Sequence, residues 1–483
     1  MNNFRAIYFP LSIFNQENLV SICFLLFFVV FTIATSVTFS LLMLCGLGFL
    51  VLGFKNTPLF LVTGIFFFQQ TMVLWDVYFQ GFRHIIPILY LLAMGVLYIT
   101  KTKYRFQSNN RLLDTLVFLF GLYIIGSMLV AYLAGTPIVH ISQHVRYWVH
   151  GAATYFFISR VRLTTTEIKN IVHYFMIISI LVLVGYLYVY WYGDDGFNIG
   201  LLFDKKLDDV GRIRIIGDLR YSMFLIFLFV AMKINRLRPY NVLYLSFPLI
   251  VFVFFVHQTR AYLVALMCVL IILALFEKKK MLNIGRIILP LFLVISLSFI
   301  SMKYFVPNIY EFGIERFSTL LLGFENIDTV RGRFVEILWA TSLWFENNLA
   351  LGIGLGSDLF YQTDILSDMT GSKVWGVHNN YLFILTSMGI IGLVLFIAVF
   401  LIFFSQVVKY RNNIPNPFMK TVFLVGALLI LSRLILGMST GIASGSPFVW
   451  MMFFVGLCIS IIRLTISDKG KHTQLLIRDF QNT

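Results

Sequence analysis

The stretch GVHNNYLFILTSMGIIGLVLF, from Gly376 to Phe396, sets one histidine and two asparagines directly before a long uncharged apolar run. An imidazole with an ordinary pKa of about 6.5 can take a proton from a hydroxyl at neutral pH. That makes His378 a candidate general base, with Asn379, Asn380 and Tyr381 beside it to orient the ring or a sugar. The plainer alternative is an interfacial histidine that only makes hydrogen bonds. A second group of residues is basic. Lys205, Lys206, Arg212, Arg214 and Arg220 lie in or beside one long loop, Arg260 opens the stretch RAYL, and Arg316, Arg331, Arg333 and Lys373 lie in a second long loop. Arginine suits a diphosphate because its planar fork donates paired hydrogen bonds and stays charged. The alternative is that these side chains snorkel to lipid headgroups or pair with Asp208, Asp209 and Glu336. Arg433 stands inside an apolar run, and an intramembrane charge is a functional candidate by default, though this one is close enough to the end of its run to snorkel.

Other chemistries lack their motifs. The two loops hold no Asp-x-Asp pair, and there is no HExxH or Walker sequence. A metal-dependent glycosyl or phosphoryl transferase needs closely spaced carboxylates to hold its ion. Arginines would therefore have to neutralise a diphosphate leaving group, and neither metal nor cofactor is expected. The glycine run GIGLG at Gly352–Gly356 follows a helical pattern rather than a strand, which argues against dinucleotide binding.

The elements that must position these residues follow from composition. Of 483 residues, 59% are hydrophobic and 12% charged, and the mean hydropathy is +0.88. Repeated apolar runs reach the ~17–25 residues that cross a bilayer. A β-barrel would show weaker, alternating segments. The fold class is therefore all-α: a polytopic membrane protein of about 12–14 transmembrane helices. Spans are expected at 18–36, 38–54, 58–75, 84–100, 115–134, 145–159, 170–192, 219–234, 241–256, 260–276, 287–304, 378–405, 420–437 and 448–463. The run from Leu19 to Phe54 has no small-residue cleavage site, so spans rather than a cleaved leader are expected there. The net charge of +15 does not indicate nucleic acid, because many of the basic residues fall in short loops between spans. Cys23, Cys45, Cys268 and Cys458 all lie in apolar runs and read as core residues.

Threading these spans brings the clusters at 101–105, 160–162, 235–238, 278–280 and 409–411, with the tail's Lys469, Lys471 and Arg478, to one side. The positive-inside rule makes that side cytoplasmic and puts both termini there. The organisation is then an N-terminal bundle at 1–304 with an outer loop at 193–218, a large periplasmic loop at 305–377, and C-terminal spans with a basic tail at 378–483. Phe334, Leu338, Thr341 and Phe345 recur at helical spacing within Arg331–Asn348. That predicts an amphipathic helix on the outer surface, broken by the glycines that follow.

RGRFVEILWATSLWFENNLALGIGLGSD followed by VHNNYLFILTSMGIIGLVLF resembles the signature of the O-antigen ligase and polymerase superfamily of bacterial envelopes. Arg333, Trp339, Gly352, Gly354, His378, Asn379, Tyr381 and Leu382 take the signature positions, and QTRAYLVAL resembles the family's outer arginine at Arg260. Two departures are the missing proline of the usual Asn-Pro turn and a turn one residue longer. Arg333, which follows Gly332, matches better than Arg331.

The resemblance implies an inverting, metal-independent glycosyltransferase of the bacterial inner membrane, working at the periplasmic face. Its donor would be a glycan on undecaprenyl diphosphate. Its acceptor would be a sugar hydroxyl on another lipid-linked repeat (polymerase, the preferred reading) or on lipid A–core (ligase). His378 would activate the acceptor. Arg260, Arg333 and Arg331 would bind the diphosphate, with Asn379, Asn380, Tyr381, Arg212, Arg214 and Arg220 in support. Membrane lipid and a chain-length regulator are the implied partners. The competing class is a transporter or flippase for the same lipid-linked glycan.

Overall fold

A computed structural model describes residues 48–62, 82–101, 111–161, 163–192, 203–207, 213–217, 219–257, 260–276, 300, 303–304, 307, 310–311, 328–357, 377, 379–438 and 446–481. Its principal helices are α1 (Phe82–Lys101), α2 (Arg111–Leu133), α3 (Ile138–Arg160), α4 (Thr165–Tyr192), α5 (Arg220–Ile234), α6 (Asn241–His257), α7 (Arg260–Phe276), α8 (Asp328–Glu346), α9 (Asn380–Tyr410), α10 (Pro417–Leu436) and α11 (Ser446–Gln481). The runs expected between 84 and 276, and from 378 onward, form helices, most within a few residues of their predicted limits; α3 starts seven residues before its expected span at 145, and α11 runs eighteen residues past 463. The expected spans at 18–36 and most of 38–54, 58–75 and 287–304 lie outside the described residues. The amphipathic segment forms α8.

One element is unexpected. β1 (Phe203–Leu207) and β2 (Ile213–Gly217) form an antiparallel hairpin between α4 and α5, packed against α4 and α6.

Among the described residues, five helices are long and apolar enough to cross a membrane: α2, α4, α9, α10 and the Pro447–Ile466 part of α11. Helices are the expected form, since hydrocarbon offers no partners to backbone N–H and C=O groups. Local chemistry fixes several starts. Thr164 and Glu167 form a reciprocal capping box at α4. Asn416 Oδ1 accepts from the Phe418 and Met419 N–H groups at α10, with Pro417 in the first turn.

α11 is the axis of the bundle. Its apolar span is 89% buried, against 28% for α2, which lies at the rim. Trp148 of α3, Phe120 of α2, Phe396 of α9 and Phe448 of α11 stack in one cluster. Phe175 of α4, Phe224 of α5 and Trp450, Phe453 and Phe454 of α11 form another. Each aromatic buries a large apolar area, and several pairs, such as Phe120–Trp148 and Phe175–Trp450, meet edge to face.

α9 is broken. Gly389 has φ 64° and ψ −174°, and residues 349–354 of the loop after α8 run into the gap. A continuous helix would bond Ile390 N–H to Thr386 O and Ile391 N–H to Ser387 O. Instead Ile390 N–H donates to Leu349 O at 3.0 Å and Ile391 N–H to Ala350 O at 3.3 Å. The freed Thr386 and Ser387 carbonyls accept from Ile353 N–H at 3.0 Å and Gly354 N–H at 2.9 Å. Two ladder bonds are thus exchanged for four to the loop. Only glycine fits at the crossing: a Cβ on Gly389 would overlap the Ala350 carbonyl, and one on Gly352 (φ 70°) the Thr386 carbonyl. The break lies nine residues into α9, about 13 Å along its axis.

Candidate functional site

The first turn of α9 carries the asparagine pair. Asn379 caps the helix, with Oδ1 accepting from the Tyr381 and Leu382 N–H groups, both at 3.0 Å. Its Nδ2 donates to Met438 O at 3.3 Å. Asn380 N–H donates to Gly437 O at 2.7 Å, and the Tyr381 hydroxyl to Leu434 O at 2.7 Å. These bonds join the start of α9 to the finish of α10. Asn380 is 3% exposed, and its Oδ1 has no hydrogen-bond partner among the described residues. His378 lies outside the described residues.

Behind this turn lies a cleft where α5, α7, α10 and α11 meet, lined by Arg220, Tyr262, Ser432, Arg433, Trp450 and apolar neighbours. The Arg433 guanidinium donates to the Tyr262 hydroxyl at 3.2 Å. The Arg220 guanidinium sits 5.4 Å from the centre of the Trp450 ring, a cation–π distance. Arg220 is 7% exposed. No carboxylate is among the described lining residues.

Helix direction adds to this charge. α5, α7, α9 and α11 all start at this end of the bundle, and α10 finishes there. A helix start carries partial positive charge and free N–H groups. Arg220 and Arg260 are themselves the first residues of α5 and α7. In the hairpin, the register makes Lys206 and Arg214 cross-strand partners.

The remaining predicted residues divide as follows. Arg331 and Arg333 fall in the first two turns of α8, which is tied to α9 by the Thr386 hydroxyl donating to Ala340 O at 3.1 Å. Their side chains, that of Arg260 and all of Arg212 lie outside the described residues. Of the predicted arginines, Arg220 is the one whose side chain is seen in the cleft, joined by the intramembrane Arg433. Sequence reasoning missed Tyr262 and Trp450. A tyrosine two residues after a charged span start was the available signal for the first; nothing marked the second.

Two arginines line this cleft, and charge-assisted bonds are strong where water is scarce, but its space of about 10 Å³ is that of a single water. Among the described residues no group of three His, Cys, Asp or Glu side chains could hold a metal ion.

Residues 244–397 match the family Wzy_C, described as O-antigen ligase. The matched segment runs from α6 through the break in α9. It includes Arg260, Arg331, Arg333 and His378–Tyr381, and leaves out Arg220 and Arg433. No curated protein matches the chain.

Proposed function

The Wzy_C match supports membership of the O-antigen ligase/polymerase superfamily, and from that premise we propose that the chain is a membrane glycosyltransferase acting on undecaprenyl-diphosphate-linked glycan at the periplasmic face of the bacterial inner membrane, with both termini cytoplasmic. The observation that carries this reading is the cleft of Arg220 and Arg433 at an end of the bundle where four helices start. Its two arginines supply positive charge at the end of the bundle where a bilayer-borne anionic group would arrive.

In the proposed reaction His378 takes the proton of the acceptor hydroxyl. The acceptor oxygen attacks the anomeric carbon opposite the diphosphate, so configuration inverts. The bond from that carbon to the diphosphate oxygen breaks, and undecaprenyl diphosphate leaves with the bonding pair. Arginines stabilise the charge on the departing group, with Arg220 and Arg433 joining Arg260, Arg333 and Arg331 in that role. Asn379, Asn380 and Tyr381 hold the helix start against α10, so their support is positional. Arg212 and Arg214 are assigned a supporting role in binding the glycan. The acceptor is a further lipid-linked repeat, which makes the protein a polymerase. The description of the matched family favours a second reading, ligation to lipid A–core.

The test is the size and location of glycan on undecaprenyl diphosphate in a strain lacking the protein. Single repeats on the outer leaflet are the expected result for a polymerase. Long chains held on the carrier and missing from lipid A–core mean a ligase. Repeats trapped on the inner leaflet overturn transfer in favour of a flippase. His378→Ala, expressed at parental level, should reproduce the deletion; normal surface glycan in that strain removes the histidine from the reaction.

A further inference from the structure

The break in α9 is gripped from a third side. Tyr123 and Ser127 lie one turn apart on α2 and so share a face. The Tyr123 hydroxyl lies 2.7 Å from Met388 O, the last carbonyl before Gly389, and 3.2 Å from Ala350 O on the inserted loop. It spans both sides of the gap. The Ser127 hydroxyl lies 3.3 Å from Ser387 O, towards which it donates, and accepts from Leu355 N–H at 2.9 Å. It too joins the broken helix to the loop.

We infer that Tyr123 and Ser127 are positioning residues: they clasp the loop into the break of α9 and so fix the half-helix 380–388, whose first residue lies two places after His378 in the chain. α2 is otherwise the least buried of the membrane-length helices. Two hydroxyls turned inward on a rim helix need a purpose that lipid contact does not provide. The clasp borders an apolar groove that includes Leu119, Leu122, Leu351 and Leu395, where water competes little and neutral hydrogen bonds keep their strength. An unsupported break about 13 Å along a spanning helix would leave backbone groups unsatisfied at a depth where no water can replace the lost partners. The loop satisfies most of them, and the clasp supplies the rest while preventing the half-helix from sliding or tilting about Gly389. The same loop leads back to α8, which carries Arg331 and Arg333. The clasp therefore links the helix after His378 and the helix of the second arginine pair to one fixed point.

The kinetic consequence rests on the transfer reading above; the structural one does not. The experiment uses the full chain in lipid nanodiscs, as parent, Tyr123→Phe, Ser127→Ala, the double variant and Ser127→Thr. Hydrogen exchange is followed at the amides of 353, 354, 390 and 391, and transfer is assayed with an undecaprenyl-diphosphate-linked glycan. Each single loss should speed exchange there roughly five- to tenfold, as for one neutral hydrogen bond, with a larger effect in the double variant. kcat should fall by more than KM for the donor rises, because the Arg220–Arg433 cleft is untouched. Ser127→Thr keeps a hydroxyl and should restore both. Parental exchange in the double variant overturns the clasp. Faster exchange with unchanged kcat overturns its positioning role. A parent protein with no transfer activity overturns the premise instead, and exchange alone then decides the clasp.

Discussion

Arg220 and Arg433 bring two guanidinium groups to one cleft from helices far apart in sequence. If they grip a diphosphate, the fork matters as much as the charge. Arg220→Lys and Arg433→Lys keep the charge but lose paired donation. Each should lower kcat/KM for the lipid-linked donor on the order of 10–100-fold, the scale of one or two charge-assisted hydrogen bonds. Tyr262→Phe removes only the hydroxyl that steadies Arg433 and should cost roughly fivefold. Steady-state kinetics with purified donor measure all three. Full activity in both lysine variants ends the diphosphate assignment for this cleft. The sequence made these arginines visible, because basic residues away from the expected cytoplasmic loops, and one inside a span, break the normal distribution. It could not pair Arg220 with Arg433, since 212 intervening positions separate them and contact depends on how α5, α10 and α11 pack.

The decisive feature at the scale of elements is the break in α9. The glycines at 352 and 354 read as a breaker of the preceding helix, and they are that. Their larger role is to let loop backbone lie against helix backbone. Gly389 looked like an ordinary glycine in a long apolar run, because hydropathy is blind to φ. Gly389→Ala would impose a conformation that costs a side-chain-bearing residue about 1–3 kcal/mol, before the overlap with the Ala350 carbonyl is counted. The variant should unfold at lower temperature than the parent in detergent and lose transfer activity. A variant of parental melting temperature and activity would mean that the loop does not occupy the break.

Across the whole molecule, a buried pair at the opposite end ties rim to axis. Arg463 of α11 donates to Asp114 of α2 at 3.0 Å, and both are buried. The Tyr155 hydroxyl of α3 donates to the same carboxylate at 2.6 Å, and Arg463 also reaches the Ser159 carbonyl. Such a pair need not stabilise relative to apolar packing, but breaking it strands a buried charge. Asp114→Ala should therefore destabilise by about 3–5 kcal/mol, and Arg463→Met added to it should recover most of that loss. Thermal unfolding of the two variants checks this. A single variant as stable as the parent would rule out the tie.

By itself, the sequence determined the class of fold, most limits of the described helices and the helical form of α8, because hydropathy and capping residues act locally along the chain. Only the tertiary structure decided which arginines meet, that Tyr262 and Trp450 join them, that the Asn379–Tyr381 turn is fastened to α10, and that a glycine loop enters α9. Each of those depends on backbones and side chains meeting across distant segments, and no local pattern records which helix faces which.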